Sequence, residues 1–185
     1  MPRPGISFIS LPMATDYRSR FARNPLDEIA RAHAVHLQLC DAMEKIADGL
    51  PGEVDRRLCA QLVSCLQYDL PLHHSDEDEG LFPLLLARAE PSDDFERVCE
   101  RLSSEHQSDS DFASEIAEAL EALGRGEPTE NAEMVGYMLR GFFERYRRHV
   151  QWEDTLVMPL ARRRLTEDDL ETLSVLMESH RARTV

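Results

Sequence analysis

Apolar side chains recur at intervals of three and four residues along most of this chain, which is the period of an amphipathic α-helix. The first such segment opens with Asn24 and Pro25, a helix-capping residue followed by a proline suited to the first turn. The pattern continues to about Asp48, where Gly49 and Pro51 end it. We therefore predict a first long helix whose apolar positions are Ile29, Val35, Leu39, Met43 and Ile46.

Three further long segments and one short segment show the same period. They cover residues 53–88, 93–123, 130–164 and 167–181, each within a residue or two. Ser92 and Thr129 are predicted to cap the third and fourth helices. Thr166 and Asp169 resemble a capping box for the fifth helix, because the side chain of each can bond the backbone N–H of the other.

The order of these helices indicates the fold. Pro71 and Pro83 lie inside the second helix, so we expect a kink or a break near each. Short loops rich in Gly and Pro join the four long helices, and no alternating β-branched run competes with them. We predict an all-α, up-down-up-down four-helix bundle over residues 24–165. An extended N-terminal arm (1–23) precedes it, and a short C-terminal helix with a tail (166–185) follows it.

Charge and composition narrow the function classes. The chain has 35 acidic and 21 basic Lys or Arg residues, a formal charge of −14, which disfavours binding to nucleic acids and to anionic membranes. No apolar run approaches the ~20 residues that span a bilayer. None of the four cysteines belongs to a Cys-x-x-Cys pair, so we expect buried, reduced thiols in a cytoplasmic protein. They are Cys40, Cys59, Cys65 and Cys99.

An internal repeat carries the candidate chemistry. Residues 73–83 and 149–159 both read His-x-x-x-Glu-Asp-x-x-x-x-Pro. Each motif lies in the second helix of a helical pair. The first helix of each pair carries a further histidine at a matching offset, His33 in one half and His106 in the other. The two halves of the chain therefore repeat nearly in register.

The spacing within the repeat predicts a metal site. Residues four apart share one helix face, so His73 with Glu77, and His149 with Glu153, can converge on a cation. The aspartate after each glutamate lies farther round the helix and is a poorer ligand unless the helix is bulged. In a bundle core, four imidazoles and two carboxylates suit two cations bridged by the carboxylates. Burying these groups without a cation would be costly.

The other histidines leave alternatives open. His36 lies one turn after His33 and could replace it as a ligand, although the repeat offset favours His33. His74 is expected to point outward beside His73. His180, in the fifth helix, is expected to be exposed to solvent.

The arrangement of these residues resembles the hemerythrin-like (HHE cation-binding) family over residues 24–165. Supporting matches are Pro25-Leu26-Asp27, Glu105-His106 and Leu81-Phe82-Pro83. The resemblance implies a four-helix bundle that holds two iron ions bridged by glutamates. The implied metal ligands are His33, His73, Glu77, His106, His149 and Glu153.

Two departures from the family pattern bear on function. Oxygen-carrying hemerythrins have a second histidine one turn after the third-helix ligand, where this chain has Ser110. They also use His-x-x-x-x-Asp on the fourth helix, which leaves both Glu153 and Asp154 as candidate ligands. One histidine fewer implies an open or water-bound iron, as in relatives that sense iron or repair iron–sulfur centres under nitric oxide stress.

The favoured hypothesis is a cytoplasmic di-iron protein that binds or reacts with O2, NO or peroxide. The sequence does not decide whether it is an enzyme. The alternative is a non-catalytic, metal-dependent sensor that contacts a protein partner through the N-terminal arm or the fifth helix. Zn or Mn in place of Fe is a further alternative, because histidine and carboxylate ligands select weakly among these metals.

Overall fold

Every regular element in the described part of the chain is helical. The computed structural model describes residues 24–127 and 131–183, so the predicted arm over residues 1–23 lies outside it. Four long helices precede a shorter one: α1 is Pro25–Gly49, α2 covers 56–88, α3 is Phe95–Arg125, α4 covers 132–164 and α5 is Glu167–Arg183. The predicted all-α class is confirmed. None of the described helices is both long and apolar enough to cross a membrane.

Helices α2 and α4 are continuous, but each changes its hydrogen-bonding pattern. In α2 the α-helical parts are Arg56–Ser64, Leu70–Asp76 and Phe82–Arg88, separated by π-helical Cys65–Asp69 and Glu77–Leu81. In α4, π-helical Glu153–Val157 separates Ala132–Trp152 from Met158–Arg164. Each π segment begins six residues before a proline. The backbone N–H of the residue before that proline donates to the carbonyl five residues earlier.

These π turns account for the prolines inside the helices. A proline has no N–H, and in an α-helix its ring clashes with the carbonyl four residues back. A π turn is wider, so the chain passes Pro71, Pro83 and Pro159 without ending the helix. The irregularity expected near Pro71 and Pro83 is therefore a widened turn on the N-terminal side of each proline.

Two of the predicted helix starts are confirmed. The Asn24 side chain accepts a hydrogen bond from the Leu26 N–H at 2.9 Å. The Thr166 N–H donates to Asp169 Oδ2 at 2.9 Å, and the Asp169 N–H donates to Thr166 Oγ1 at 3.3 Å.

The predicted start of the third helix is wrong. Ser92 lies in a 3-10 turn, Pro91–Asp93, which Asp93 closes by accepting the Glu90 N–H at 2.9 Å. Asp93 also accepts hydrogen bonds from Arg164, which tie this turn to α4. Helix α3 begins after Asp94, whose φ is 50°. Thr129 lies outside the described residues, and the helix that it was predicted to cap is capped by Asn131, whose side chain accepts the Met134 N–H at 2.9 Å.

The apolar core has two parts with a polar layer between them. Helix α1 packs mainly on α4 and α2 mainly on α3, while α3 also contacts α4. A larger cluster, which includes Leu39 and Tyr146, fills one end of the bundle. A smaller cluster, which includes Ile29 and Leu81, fills the other end and extends to Leu173 of α5. Along each long helix the candidate metal ligands lie between residues of these two clusters.

Candidate metal centre

All six predicted ligands are buried and meet in the polar layer. They are His33 from α1, His73 and Glu77 from α2, His106 from α3, and His149 and Glu153 from α4. Glu77 and Glu153 are each the first residue of a π segment. The histidine four residues before each glutamate lies in regular α-helix: His73 Nε2 is 3.3 Å from Glu77 Oε2, and His149 Nε2 is 3.1 Å from Glu153 Oε1.

The ligand atoms form two adjoining pockets. The first pocket consists of His33, His73, Glu77 and Glu153, and the second of His106, His149 and Glu153, with the ligand atoms of each within 4.8 Å of one another. Glu153 belongs to both, because its Oε2 is 3.3 Å from His33 Nε2 and its Oε1 is 3.4 Å from His106 Nε2. Glu77 also faces both, with Oε1 3.3 Å from His33 Nε2 and Oε2 3.4 Å from His106 Nε2. The two carboxylates therefore stand between the pockets.

Several of these buried atoms have no hydrogen-bond partner in the described part of the protein. They are His73 Nε2, Glu77 Oε2 and both carboxylate oxygens of Glu153. His106 Nε2 and His149 Nε2 face each other at 3.0 Å, where a hydrogen bond uses only one proton. Buried carboxylate oxygens that accept no hydrogen bond are costly, whereas a cation would satisfy them. Imidazole nitrogens with carboxylate oxygens suit Fe, Zn and Mn, so this donor set fits metal cations.

The outer imidazole nitrogens are held by acidic side chains. Asp154 Oδ1 accepts from His33 Nδ1 at 2.7 Å, and Asp78 Oδ2 accepts from His106 Nδ1 at 3.0 Å. The aspartate of each repeat motif therefore holds the histidine of the other half of the chain. Such hydrogen bonds fix the orientation of the ring and leave Nε2 free to bind a metal. The structure thus puts Glu153 at the pockets and Asp154 behind a histidine.

A third carboxylate completes this outer layer. Glu105 Oε2 accepts from His149 Nδ1 at 3.0 Å, while Glu105 Oε1 accepts from Arg101 at 2.9 Å. Ser103 donates to Asp78 at 2.6 Å and fixes that carboxylate in turn. Three of the four predicted histidine ligands therefore have a carboxylate on Nδ1.

The comparison with known proteins agrees with this geometry. The hemerythrin HHE cation binding domain matches residues 24–161, which is most of the chain. The chain belongs to this family. Together with the histidine and glutamate cluster, membership assigns metal-cation binding to the chain. No curated protein and no solved structure matches the chain significantly. Helix α5 begins beyond the matched HHE residues.

Without a metal, protonated histidines balance the negative charge of the carboxylates in this HHE site. Burial lowers the pKa of His33 and of His106, but hydrogen bonds to nearby carboxylates outweigh it and raise both to about 10. Burial and repulsion from Glu153 raise the pKa of Glu77 to about 7. Burial would also raise the pKa of Glu153, yet the neighbouring imidazoles of His106 and His149, with Nε2 atoms 3.4 and 3.1 Å from Oε1, bring it below its ordinary value.

His36 lies behind the first pocket of the HHE site. Its Nδ1 accepts a hydrogen bond from the Tyr146 hydroxyl at 3.0 Å, and its ring centroid is 4.7 Å from that of His73. Burial lowers the pKa of His36 to about 3, so it is neutral. The structure therefore places His33, and not His36, among the residues of the first pocket. Tyr146 is fully buried and stacks on His149.

The expectation that His74 points outward is wrong. His74 is buried, its ring stacks on that of His106 at 4.1 Å, and its Nδ1 lies 3.4 Å from Ser110 Oγ. Consecutive helical residues point about 100° apart, and α2 packs against both α1 and α3. His73 can therefore face α1 while His74 faces α3. Nothing in the local sequence distinguishes this arrangement from an exposed His74.

The expectation that His180 is exposed is also wrong. His180 is buried, and its Nδ1 lies 2.9 Å from Asp76 Oδ1 on α2. A sequence signal for this burial exists. Leu173, Met177 and His180 follow at intervals of four and three, so His180 continues the apolar face of α5.

Proposed function

We propose that this protein holds two iron ions in the two pockets and binds or reacts with O2, NO or peroxide in the cytoplasm. The proposal includes an up-down-up-down course of α1 to α4. The observation that carries it is the position of Glu153, whose two oxygens face different pockets at 3.3 and 3.4 Å from His33 and His106. A single-ion site would not need a carboxylate in that position.

The side chains of this chain would have three tasks around the ions. Four imidazoles and two carboxylates would hold them, fewer donors than two octahedral ions require, which favours coordination positions open to a small molecule. The aspartates behind His33 and His106 would keep those rings oriented. The apolar clusters on both sides would exclude water from the site. A pair of iron ions would supply reversible binding of, and electron transfer to, a small oxidant.

Metal content tests the proposal. Protein purified after iron-supplemented expression should contain near two irons per chain and absorb visible light. Glu153→Gln removes the charge shared by the two pockets and should lower the content to one iron or fewer. Glu115→Gln, an exposed glutamate on α3, is the matched control and should keep both irons. One metal per chain in the wild type would contradict the two-ion site, and none after reconstitution would contradict metal binding.

Reactivity is tested next on the loaded protein. Anaerobic, reduced protein is mixed separately with O2, NO and hydrogen peroxide, and the visible spectrum is followed. A change with at least one of the three that is lost in Glu153→Gln supports the proposal. No change with any of them would contradict it.

The second candidate is a metal-dependent sensor without turnover. It is favoured by α5, which docks on the segment of α2 that carries Glu77. Here iron loading would change partner binding while none of the three oxidants is consumed. Catalytic consumption of any of them by the iron-loaded protein would reject this candidate.

A further inference from the structure

Helix α5 is fastened to the ligand-bearing turn of α2. Asp76, the residue before Glu77, accepts hydrogen bonds from His180 Nδ1 at 2.9 Å and from two Arg181 nitrogens at 2.8 and 3.1 Å. The Asp76 side chain is only 4% exposed. The residue directly before Glu77 is thus tied to a helix that the family match does not include.

Close packing adds to these polar contacts. Gly80 lies in the π segment that starts at Glu77, and a Cβ at Gly80 would lie 2.9 Å from Leu173 Cδ1 on α5. Glycine therefore allows α5 to approach the π segment. Farther along, the Arg88 Nε–H donates to Asp169 at 2.8 Å and fastens the start of α5.

The second repeat lacks such a cover in the described part of the protein. The positions equivalent to Asp76 and Gly80 are Trp152 and Leu156. Trp152 is 38% exposed and Leu156 is 47% exposed, whereas Asp76 and Gly80 are buried. Of the two equivalent turns, the one that carries Glu77 is thus covered by α5, while the one that carries Glu153 leaves these two positions partly exposed.

We propose that α5 positions Glu77, with Asp76, Gly80, His180 and Arg181 as the positioning residues. By holding the π segment Glu77–Leu81, α5 organises the first pocket more than the second. Cation binding in the first pocket and docking of α5 stabilise each other, because coupling between two sites is reciprocal. This inference rests on the proposed metal function and goes beyond it, since it makes the two pockets unequal and links one of them to α5.

The physical argument concerns preorganisation. A ligand binds a metal tightly when its backbone and ring or carboxylate are already held in place. If His180 and Arg181 are removed, Asp76 loses the partners that fix it, and the adjacent Glu77 can move with its turn. Loss of groups that orient a ligand typically lowers metal affinity 10–100-fold. Because the contacts here act through Asp76, we expect the lower end, about tenfold.

Two variants that disturb the docking of α5, called the α5 variants below, and two controls test this in the full-length chain. His180→Ala/Arg181→Ala removes the polar contacts. Gly80→Leu installs the residue of the second repeat and pushes Leu173 away. Leu156→Ala changes the equivalent exposed position, and Leu139→Ala weakens the larger core cluster without touching α5. The readouts are Fe²⁺ affinity by anaerobic competition with a chromophoric chelator, free energy of unfolding, and hydrogen exchange of residues 77–81, 153–157 and 167–183.

The expected results separate positioning from general stability. Both α5 variants should speed exchange in 77–81 more than in 153–157, with or without metal. They should also weaken the tighter of the two Fe²⁺ binding steps, the one that belongs to the better organised first pocket, about tenfold. Fe²⁺ should slow exchange in 167–183 of the wild type. Leu156→Ala and Leu139→Ala should keep the Fe²⁺ affinity, although Leu139→Ala lowers the free energy of unfolding.

Three outcomes would overturn the inference. They are equal exchange changes in the two π segments, an unchanged Fe²⁺ affinity in both α5 variants, or an equal loss of affinity in Leu139→Ala. These differ from failure of the proposed function, in which the wild type itself binds no Fe²⁺. The exchange comparison in metal-free protein still tests whether α5 holds the Glu77 turn.

Discussion

At the residue scale, the two aspartates of the repeat motifs make crossed connections. Asp154 of the second motif orients His33 of the first pocket, and Asp78 of the first motif orients His106 of the second pocket. We expect Asp154→Ala and Asp78→Ala each to weaken metal binding about 10–100-fold, in different pockets. Stepwise Fe²⁺ titration against a competing chelator measures this. Asp111→Ala, at an exposed acid on α3, is the control; equal effects on both binding steps from either aspartate would contradict the crossed arrangement.

Also at the residue scale, the cysteines should be inert in the folded protein. All four are free and buried. Burial raises the pKa of Cys40 and Cys65 to about 12 and that of Cys59 to about 11. Thiol reagents attack the thiolate, so native protein at pH 8 should label slowly, and guanidinium-unfolded protein should label at four sites. Rapid labelling of one thiol in the native protein would show an opened core.

The same thiols give a pH dependence of stability. A thiol whose pKa is raised by folding keeps its proton when the unfolded thiol has lost it. The unfolded state therefore binds fewer protons above the ordinary thiol pKa of 9.0, and the free energy of unfolding should fall as the pH rises further. Replacing Cys40 by Ser, which does not titrate, should reduce this fall in denaturant titrations between pH 8 and pH 10. An unchanged slope would contradict the assignment.

At the element scale, the sequence predicts the helices well and their irregularities poorly. The three- and four-residue period predicts α1 and α5 to within a few residues, because it depends only on which face is buried. The His-x-x-x-Glu spacing likewise predicts which pairs converge. The inward position of His74 and the docking of α5 on Asp76 depend on neighbouring helices, which a local pattern does not contain. The prolines signal an irregularity but not its π form.

The prolines allow a test at this scale. Pro159 follows the π segment Glu153–Val157 and removes the N–H that would bond to the carbonyl of Thr155. Pro159→Ala restores that donor and favours a regular α turn, which would shift Glu153 relative to the pockets. We expect unchanged helical circular dichroism and several-fold weaker Fe²⁺ binding. Pro91→Ala, in the exposed 3-10 turn, is the control. Wild-type affinity in Pro159→Ala would show that the π turn does not depend on the proline.

At the scale of the whole molecule, the polar layer sits between two apolar clusters that do not need a metal to pack. Chelation should therefore leave the helices intact while removing the ligand's contribution to stability. A ligand at 100 times its Kd adds about 2.7 kcal/mol to the free energy of unfolding. For a chain of this size that corresponds to a shift in Tm of roughly 5–10 °C. Thermal unfolding followed by circular dichroism, with excess Fe²⁺ or with chelator, measures both quantities.

The double variant Glu77→Gln/Glu153→Gln should show the same Tm in both conditions, because it has lost the carboxylates common to the two pockets. Loss of helix on chelation would mean that the clusters alone do not hold the bundle. An equal Tm in wild type and double variant, with and without Fe²⁺, would mean that folding and metal binding are not linked at this site.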